Sequence, residues 1–341
     1  MTIEEIKKMV DTDPAYSFLK TDEHLKNRIM FLTLGGSYAY GTNVETSDVD
    51  VRGCALNRPS DILGLTNFEQ RIDAKTDTTV YAFNKLIPLV LNCNPNTIEM
   101  FGCKPEHYLV ISDIGKEFID NRHMFLSQRA VHSFGGYADK QLRRLENALA
   151  RDKMSQAMKE EHICGSMIAA TSTFKDGFSD FKDESIKLYT DVSEKEGLDR
   201  EVYIDFNLQH FPVRSLNSIM NELSNILKTY DKLTGRNHKK DDLHLNKHAM
   251  HLIRLYLMCI DLLETGEIVT YREKDIEFLL KIRNGLFQND DGTYRSEFFD
   301  IVNDCENRMK YAKENTPLPK EPDFKKVEEF VMEVNRKAIN L

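Results

Sequence analysis

Asp48 and Asp50 are the residues whose type and spacing most directly suggest chemistry in this chain. They lie in LGGSYAYGTNVETSDVDVRG (34–53), with ten residues between Ser37 and Asp48. On a strand, residues two apart project from one face, so the carboxylates would share a face while Val49 and Val51 enter the core. Bare carboxylates side by side repel each other. A cation between them removes that cost, and Mg²⁺ takes hard oxygen ligands of this kind. Two such ions about 3.5–4 Å apart are the usual machinery of in-line phosphoryl displacement. Gly36 lets a backbone approach a phosphate closely, and Ser37 adds a hydroxyl. If SYAY opens a helix, its free N–H groups and dipole attract an anion. Taken singly, D-x-D is a common chance pair and Gly-Gly-Ser a common turn; their joint spacing after an apolar strand favours a nucleotide site. A calcium loop is excluded, because Arg52 and Pro59 occupy the fifth and twelfth positions, where oxygen ligands belong.

The elements that must position these residues follow from hydrophobic pattern. IMFLTLG (29–35) is an apolar run ending in glycine and reads as a buried strand, and the Val-rich alternation of DVDVRGCAL (48–56) reads as a second. NFEQRID and DTTVYAF flank Ala74-Lys75-Thr76 as a hairpin. Short helices are predicted at 3–10 and 22–28, and NKLIPLVLNC has helical spacing despite Pro88. NPNTIEMF (94–101) reads as a helix start, with Asn96 as cap and Glu99 three residues later closing a capping box. Beyond about residue 115 helical periodicity dominates, over VHSFGGYADKQLRRLENALARD, KEEHICGSMIAATSTF, SLNSIMNELSNILKTYDKL and a long helix stopped at Thr265-Gly266. EVYIDFNL (201–208) is a strand inside an irregular, charged stretch. The pattern predicts an α+β chain: a small α/β domain over 1–115, then a mostly helical domain over 116–341, with a possible insertion at about 174–240.

Composition narrows the function classes. A hydrophobic fraction of 41% with 30% charged residues is that of a folded chain, not a disordered one. The net charge of −9 argues against coating nucleic acid by bulk attraction, although a local basic groove is compatible with it. The six cysteines form no C-x-x-C pair, which fits reduced thiols in a cytoplasm and excludes a disulfide frame or zinc site. The N-terminus lacks the apolar core of a signal peptide, and HLIRLYLMCIDLL (251–263) is too short and too interrupted to span a bilayer, so the chain is expected to be cytoplasmic with no membrane partner.

Gly-Ser, ten residues and then DVDV resembles the signature of the DNA polymerase β-like nucleotidyltransferase superfamily. GSYAYGTNVETSDVDVRG resembles one branch more closely, the YcgL-like or RNA-repair-pathway-associated (RlaP) nucleotidyltransferases. DTTVYAFNKLIPLVLNCNPNTIEMF (77–101), FGGYADKQLRRLE (134–146) and KHAMHLIRLYLMCIDLLETGEI (247–268) look like that branch too. The resemblance implies a catalytic nucleotidyltransferase domain with a mixed sheet, and a helical domain completing its cleft. It implies Mg²⁺ (with Mn²⁺ as substitute) held by Asp48, Asp50 and a third carboxylate, for which Asp77 is the first choice and Asp73 the competitor. Gly36 and Ser37 would hold the β and γ phosphates of an NTP, and a hydroxyl would attack the α-phosphorus with release of pyrophosphate. The branch name suggests an RNA end as acceptor, in repair. A protein or small-molecule acceptor, or a catalytically silent nucleotide-binding module, are the alternatives.

Supporting residues follow on the helices. Arg52 continues the Asp48/Asp50 face and either pairs with those acids or touches a phosphate. Lys247, His251 and Arg254 fall at i, i+4 and i+7, a polar stripe on an otherwise apolar helix; it faces either the cleft, where it would bind phosphate, or solvent. In GGYADKQLRRLE, Lys140, Arg143 and Arg144 share one side, while Tyr137 and Gln141 share another and are candidates to contact base or sugar; a solvated face is the competing reading.

Overall fold

The computed structural model describes residues 1–153, 155–177, 185–235, 242–290 and 292–340. Two compact units are present: one of residues 1–142, 246–289 and 294–341, the other of 143–245 and 290–293. The sequence pattern places its boundary near 115 and an insertion at about 174–240; parts of that stretch, 178–184 and 236–241, lie outside the described residues.

The first unit is built on five strands: β1 (Ile29–Leu34), β2 (Val51–Ala55), β3 (Gln70–Asp73), β4 (Thr78–Ala82) and β5 (Tyr108–Ile111), in the order β3-β4-β2-β1-β5. The β2–β4 pair is parallel and the others antiparallel, so the sheet is mixed. With most of the remaining elements helical, the chain is α+β as its pattern predicts. Both sides of the sheet are covered, which is why β1 is a continuous apolar run rather than an alternating one. One core gathers Ile6, Val10, Leu19, Leu32, Leu34, Val51 and Val80 with the N-terminal helices. The other centres on Phe118, which meets Phe83, Phe101, Phe125 and Phe330 at ring separations of 4.9–5.8 Å. Leu255, Met258, Cys259 and Leu262 bring the helix Asp242–Thr265 into that same core.

Several local expectations are corrected. Residues 22–28 form turns, not a helix. Asn94, not Asn96, caps the helix Pro95–Ile98, its side chain accepting from the Asn96 N–H; Pro95 at the first helical position accounts for the start two residues earlier. Glu99 therefore closes no capping box and is buried instead. β2 begins at Val51, so Asp48 and Asp50 precede the strand rather than ride on it.

In the second unit, β6 (Ile186–Val192) and β7 (Arg200–Phe206) form an antiparallel hairpin. Ile186, Leu188, Val202 and Ile204 pack on Ile163, Met167, Ile219 and Leu223 of the helices Gln156–Gly177 and Val213–Gly235. The pattern finds β7 but misses β6, which lies in an irregular, charged stretch of the sequence.

Candidate active site

Strand register assembles the site. Leu34 of β1 pairs with Val51 of β2, and Val51 pairs with Thr78 of β4. The residues flanking those pairs, Gly35, Asp50 and Asp77, therefore meet at one end of three adjacent strands. The Gly35 N–H donates to the Asp50 carbonyl at 2.8 Å, and the Val51 N–H donates to the Asp77 carbonyl at 3.2 Å. Asp77 holds a left-handed φ of 45°, a conformation that aspartate tolerates better than most residues.

Gly36 begins the short helix Gly36–Tyr40 with φ +53°. A Cβ there would stand 2.0 Å from Asp50 Oδ2, so only glycine fits. The Asp50 carboxylate lies directly against the Gly-Ser turn. Gly41 ends the helix in the left-handed region at φ 75°.

A cleft of about 280 Å³ opens here, lined by Gly36, Ser37, Asp48, Asp50 and Asp77 on one part of its wall and by Lys247, Met250, His251 and Arg283 on another. Tyr40, Thr46 and Ser47 complete it. The structure thus brings together Gly36, Ser37, Asp48, Asp50, Asp77, Lys247 and His251. Asp73 is not among them: its carboxylate accepts from the N–H groups of Lys75 and Thr76 and from the Thr76 hydroxyl, as the cap of the β3–β4 turn.

Arg52 sits beside the cleft, its Nη2 2.9 Å from Asp50 Oδ1 and 3.5 Å from Asp77 Oδ1. Its Nη1 donates to the Asp77 carbonyl at 2.6 Å. Burial pushes the Asp50 carboxyl up to about 6; Arg52 opposes that rise and the nearby Asp77 charge adds to it. The His251 imidazole is held well below its usual range, chiefly by burial and then by the charges of Arg254 and Lys247, so it is neutral at pH 7. As a neutral ring it offers the cleft one donor and one acceptor.

Three predicted helix residues lie elsewhere. Arg254 is buried with Glu99 and Tyr40: Nη1 is 3.5 Å from Glu99 Oε2, its guanidinium stacks 3.7 Å from the Tyr40 ring, and the Tyr40 hydroxyl donates to Glu99 Oε2 at 2.6 Å. Tyr40 stands between this network and the cleft. The Tyr137 hydroxyl accepts from the side-chain amides of Asn94 and Asn96 at 3.4 and 3.3 Å. Gln141 Oε1 is 3.0 Å from His248 Nδ1. Neither of these two lines the cleft. Arg143 pairs with Glu222 at 3.6 Å, and Lys140 lies 5.6 Å from the Tyr137 ring; the Arg144 side chain lies outside those described.

Among the described residues, no three His, Cys, Asp or Glu side chains are grouped closely enough to hold a metal ion as they stand. The chemistry of the donor set nevertheless fits a hard divalent cation: carboxylates and a hydroxyl, with one carboxyl driven upward by burial and a like charge. The Arg52 guanidinium, bridging Asp50 and Asp77, marks where those acids demand positive charge.

Residues 10–163 match the model of the RNA repair pathway DNA polymerase beta family, RlaP. This part of the chain is similar to that family. The matched segment contains the whole five-stranded sheet, the Gly-Ser turn and all three cleft acids. The family is one of polymerase-β-like nucleotidyltransferases, which agrees with the resemblance carried by GSYAYGTNVETSDVDVRG. No curated protein and no solved structure matches the chain. Lys247, His251 and Arg283 lie beyond the matched residues. Thr46 and Ser47 lie within the quoted stretch but were not singled out in the sequence, and nothing in the local sequence around Arg283 signals its place. Among the described residues, no helix is long and apolar enough to cross a membrane.

Proposed function

We propose that this protein is a Mg²⁺-dependent nucleotidyltransferase that moves a nucleoside monophosphate from an NTP to a hydroxyl, with an RNA end as acceptor. The observation that carries the proposal is one cleft holding a Gly-Ser turn, three carboxylates and a cationic wall. Asp48, Asp50 and Asp77 are the residues that would hold Mg²⁺, or Mn²⁺ in its place. When bound, the metal neutralises phosphate charge and makes the attacking hydroxyl more acidic.

The chain's own groups do the rest. Gly36 and Ser37 cradle the triphosphate, whose charge Lys247 balances. His251 donates a hydrogen bond, and Arg52 orients the Asp50 and Asp77 carboxylates. The acceptor hydroxyl oxygen forms a bond to the α-phosphorus as the bond to the β-phosphate oxygen breaks, and pyrophosphate leaves with that electron pair. Asp77, whose side chain is 60% exposed, takes the hydroxyl proton. Positioning and charge stabilisation supply most of the rate. Six free cysteines suit the reducing cytoplasm as the compartment.

The test is incubation of the full chain with Mg²⁺ and NTPs labelled on the α-phosphate, in the presence of total RNA or of a proteome. Label in a nuclease-sensitive band supports the RNA acceptor. Label in a protease-sensitive band replaces it with a protein, a reading that the net charge of −9 favours mildly because it disfavours a large RNA footprint. Asp48→Asn should cut transfer by at least about 100-fold, on the scale of losing one transition-state electrostatic group. NTP binding with no release of pyrophosphate to any acceptor would establish a silent binding module instead.

A further inference from the structure

Arg283 is the last residue of the helix Ile276–Arg283 and lines the cleft, far in sequence from every motif that points to it. Its Nη1 donates to the Thr42 carbonyl at 2.6 Å, which ties the helix end to the loop following Gly41. That contact uses one donor of the five on a guanidinium. Burial is the cause that acts on its charge, lowering its pKa, and no carboxylate attraction offsets it. Lys281 on the same helix is different, being paired with Glu277 at 2.7 Å. A cation at a helix C-terminus complements the helix dipole, and a carbonyl needs a donor, but a lysine would meet both needs. A half-buried fork with donors to spare, in a cleft it shares with Lys247 and Ser37, matches the planar oxygen face of a phosphate.

We propose that Arg283 binds the β/γ end of the NTP polyphosphate tail, and the pyrophosphate cut from it. The proposal rests on the nucleotidyltransferase reading and adds a residue from outside the family-matched segment. It also gives Arg283 two tasks: one N–H holds the loop that carries the cleft's Thr46 and Ser47, and the others grip the leaving group.

Calorimetry on the full chain with Mg²⁺ tests this, using NTP, inorganic pyrophosphate, NMP and a short RNA as separate ligands. Arg283→Gln keeps an amide to donate to the Thr42 carbonyl but removes the charge and the fork. It should weaken both NTP and pyrophosphate by about 10- to 100-fold, the scale of one charge-assisted phosphate contact. NMP affinity and melting temperature should stay near those of the wild type. Arg283→Lys, which keeps charge without the fork, should fall between the two and guards against a poorly folded Gln variant. Unchanged pyrophosphate binding in Arg283→Gln overturns the assignment. So does an equal loss for NTP and NMP, which would make the residue a loop support, and so does a loss confined to RNA, which would make it an acceptor contact. A wild-type chain that binds neither NTP nor pyrophosphate overturns the underlying nucleotidyltransferase reading as well.

Discussion

Replacing Asp50 by asparagine should stabilise the metal-free protein by an amount that grows from about pH 4 to 6 and is full above that window. The Asp50 side chain is 21% exposed, packs against Gly36 and shares its surroundings with Asp77. Its carboxyl is pushed from 3.8 to about 6, with the attraction of Arg52 already counted in that balance. At 1.36 kcal/mol per pH unit, the difference amounts to about 3 kcal/mol as a ceiling. Solvent screening of a partly exposed group brings the expected value to about 1–2 kcal/mol. Because the folded-state pKa is raised, the folded protein binds more protons than the unfolded chain between about pH 4 and 6, so stability falls as pH rises through that window. Above it the full cost of the buried charge is present; below it both states are protonated and the cost vanishes. Asparagine mimics the protonated acid at the same size. Urea denaturation of both proteins in EDTA, from about pH 3 to 8, should therefore give curves that converge at the acid end and separate upward in favour of Asp50→Asn. Adding Mg²⁺ with NTP should reverse the order, since only the wild type gains a bound cation. A variant that is equally or less stable than the wild type at pH 8, with the same pH profile, would refute the electrostatic account of this site.

Two further outcomes follow from the same geometry. Gly36→Ala forces a side chain into φ +53° and into the Asp50 carboxylate; it should cost roughly 2 kcal/mol or more and abolish NTP binding, measured by denaturation and calorimetry, and wild-type behaviour in both would refute the steric role of Gly36. Arg254→Met leaves the Glu99 carboxylate buried without its cation and should cost about 3–5 kcal/mol, while the double change with Glu99→Gln should recover much of that loss in a double-mutant cycle; additive losses would mean that the two side chains are not coupled.

How much was legible depends on whether the signal is local. β1, the β3–β4 hairpin and the long helices follow from runs and periods of apolar residues, because burial imposes period on the chain nearest to it. GSYAYGTNVETSDVDVRG carries both the turn and two of the acids, since a strand, a tight turn and a returning strand are short-range neighbours. Small errors arose where two local rules compete, as at Asn94 and Asn96, where the proline between them decides which is the cap. A helical wheel groups Lys247, His251 and Arg254 but cannot tell a stripe facing a cleft from one that dips beneath it. The structure separates them: Lys247 and His251 line the cleft, and Arg254 is neutralised by Glu99 under Tyr40.

By itself, the sequence determined most of the strands and helices, though not β5 or β6, together with the Gly-Ser turn and the types of donor available for a divalent cation and a phosphate tail. Only the tertiary structure decided which of those donors meet. The parallel register of β2 and β4 sets Asp77 beside Asp50, and the packing of the helices Asp242–Thr265 and Ile276–Arg283 brings Lys247 and Arg283 to the same cleft. The physical reason is one of range: secondary structure is specified by interactions over a few residues, whereas strand register and helix placement are fixed by cores that join residues far apart in the chain.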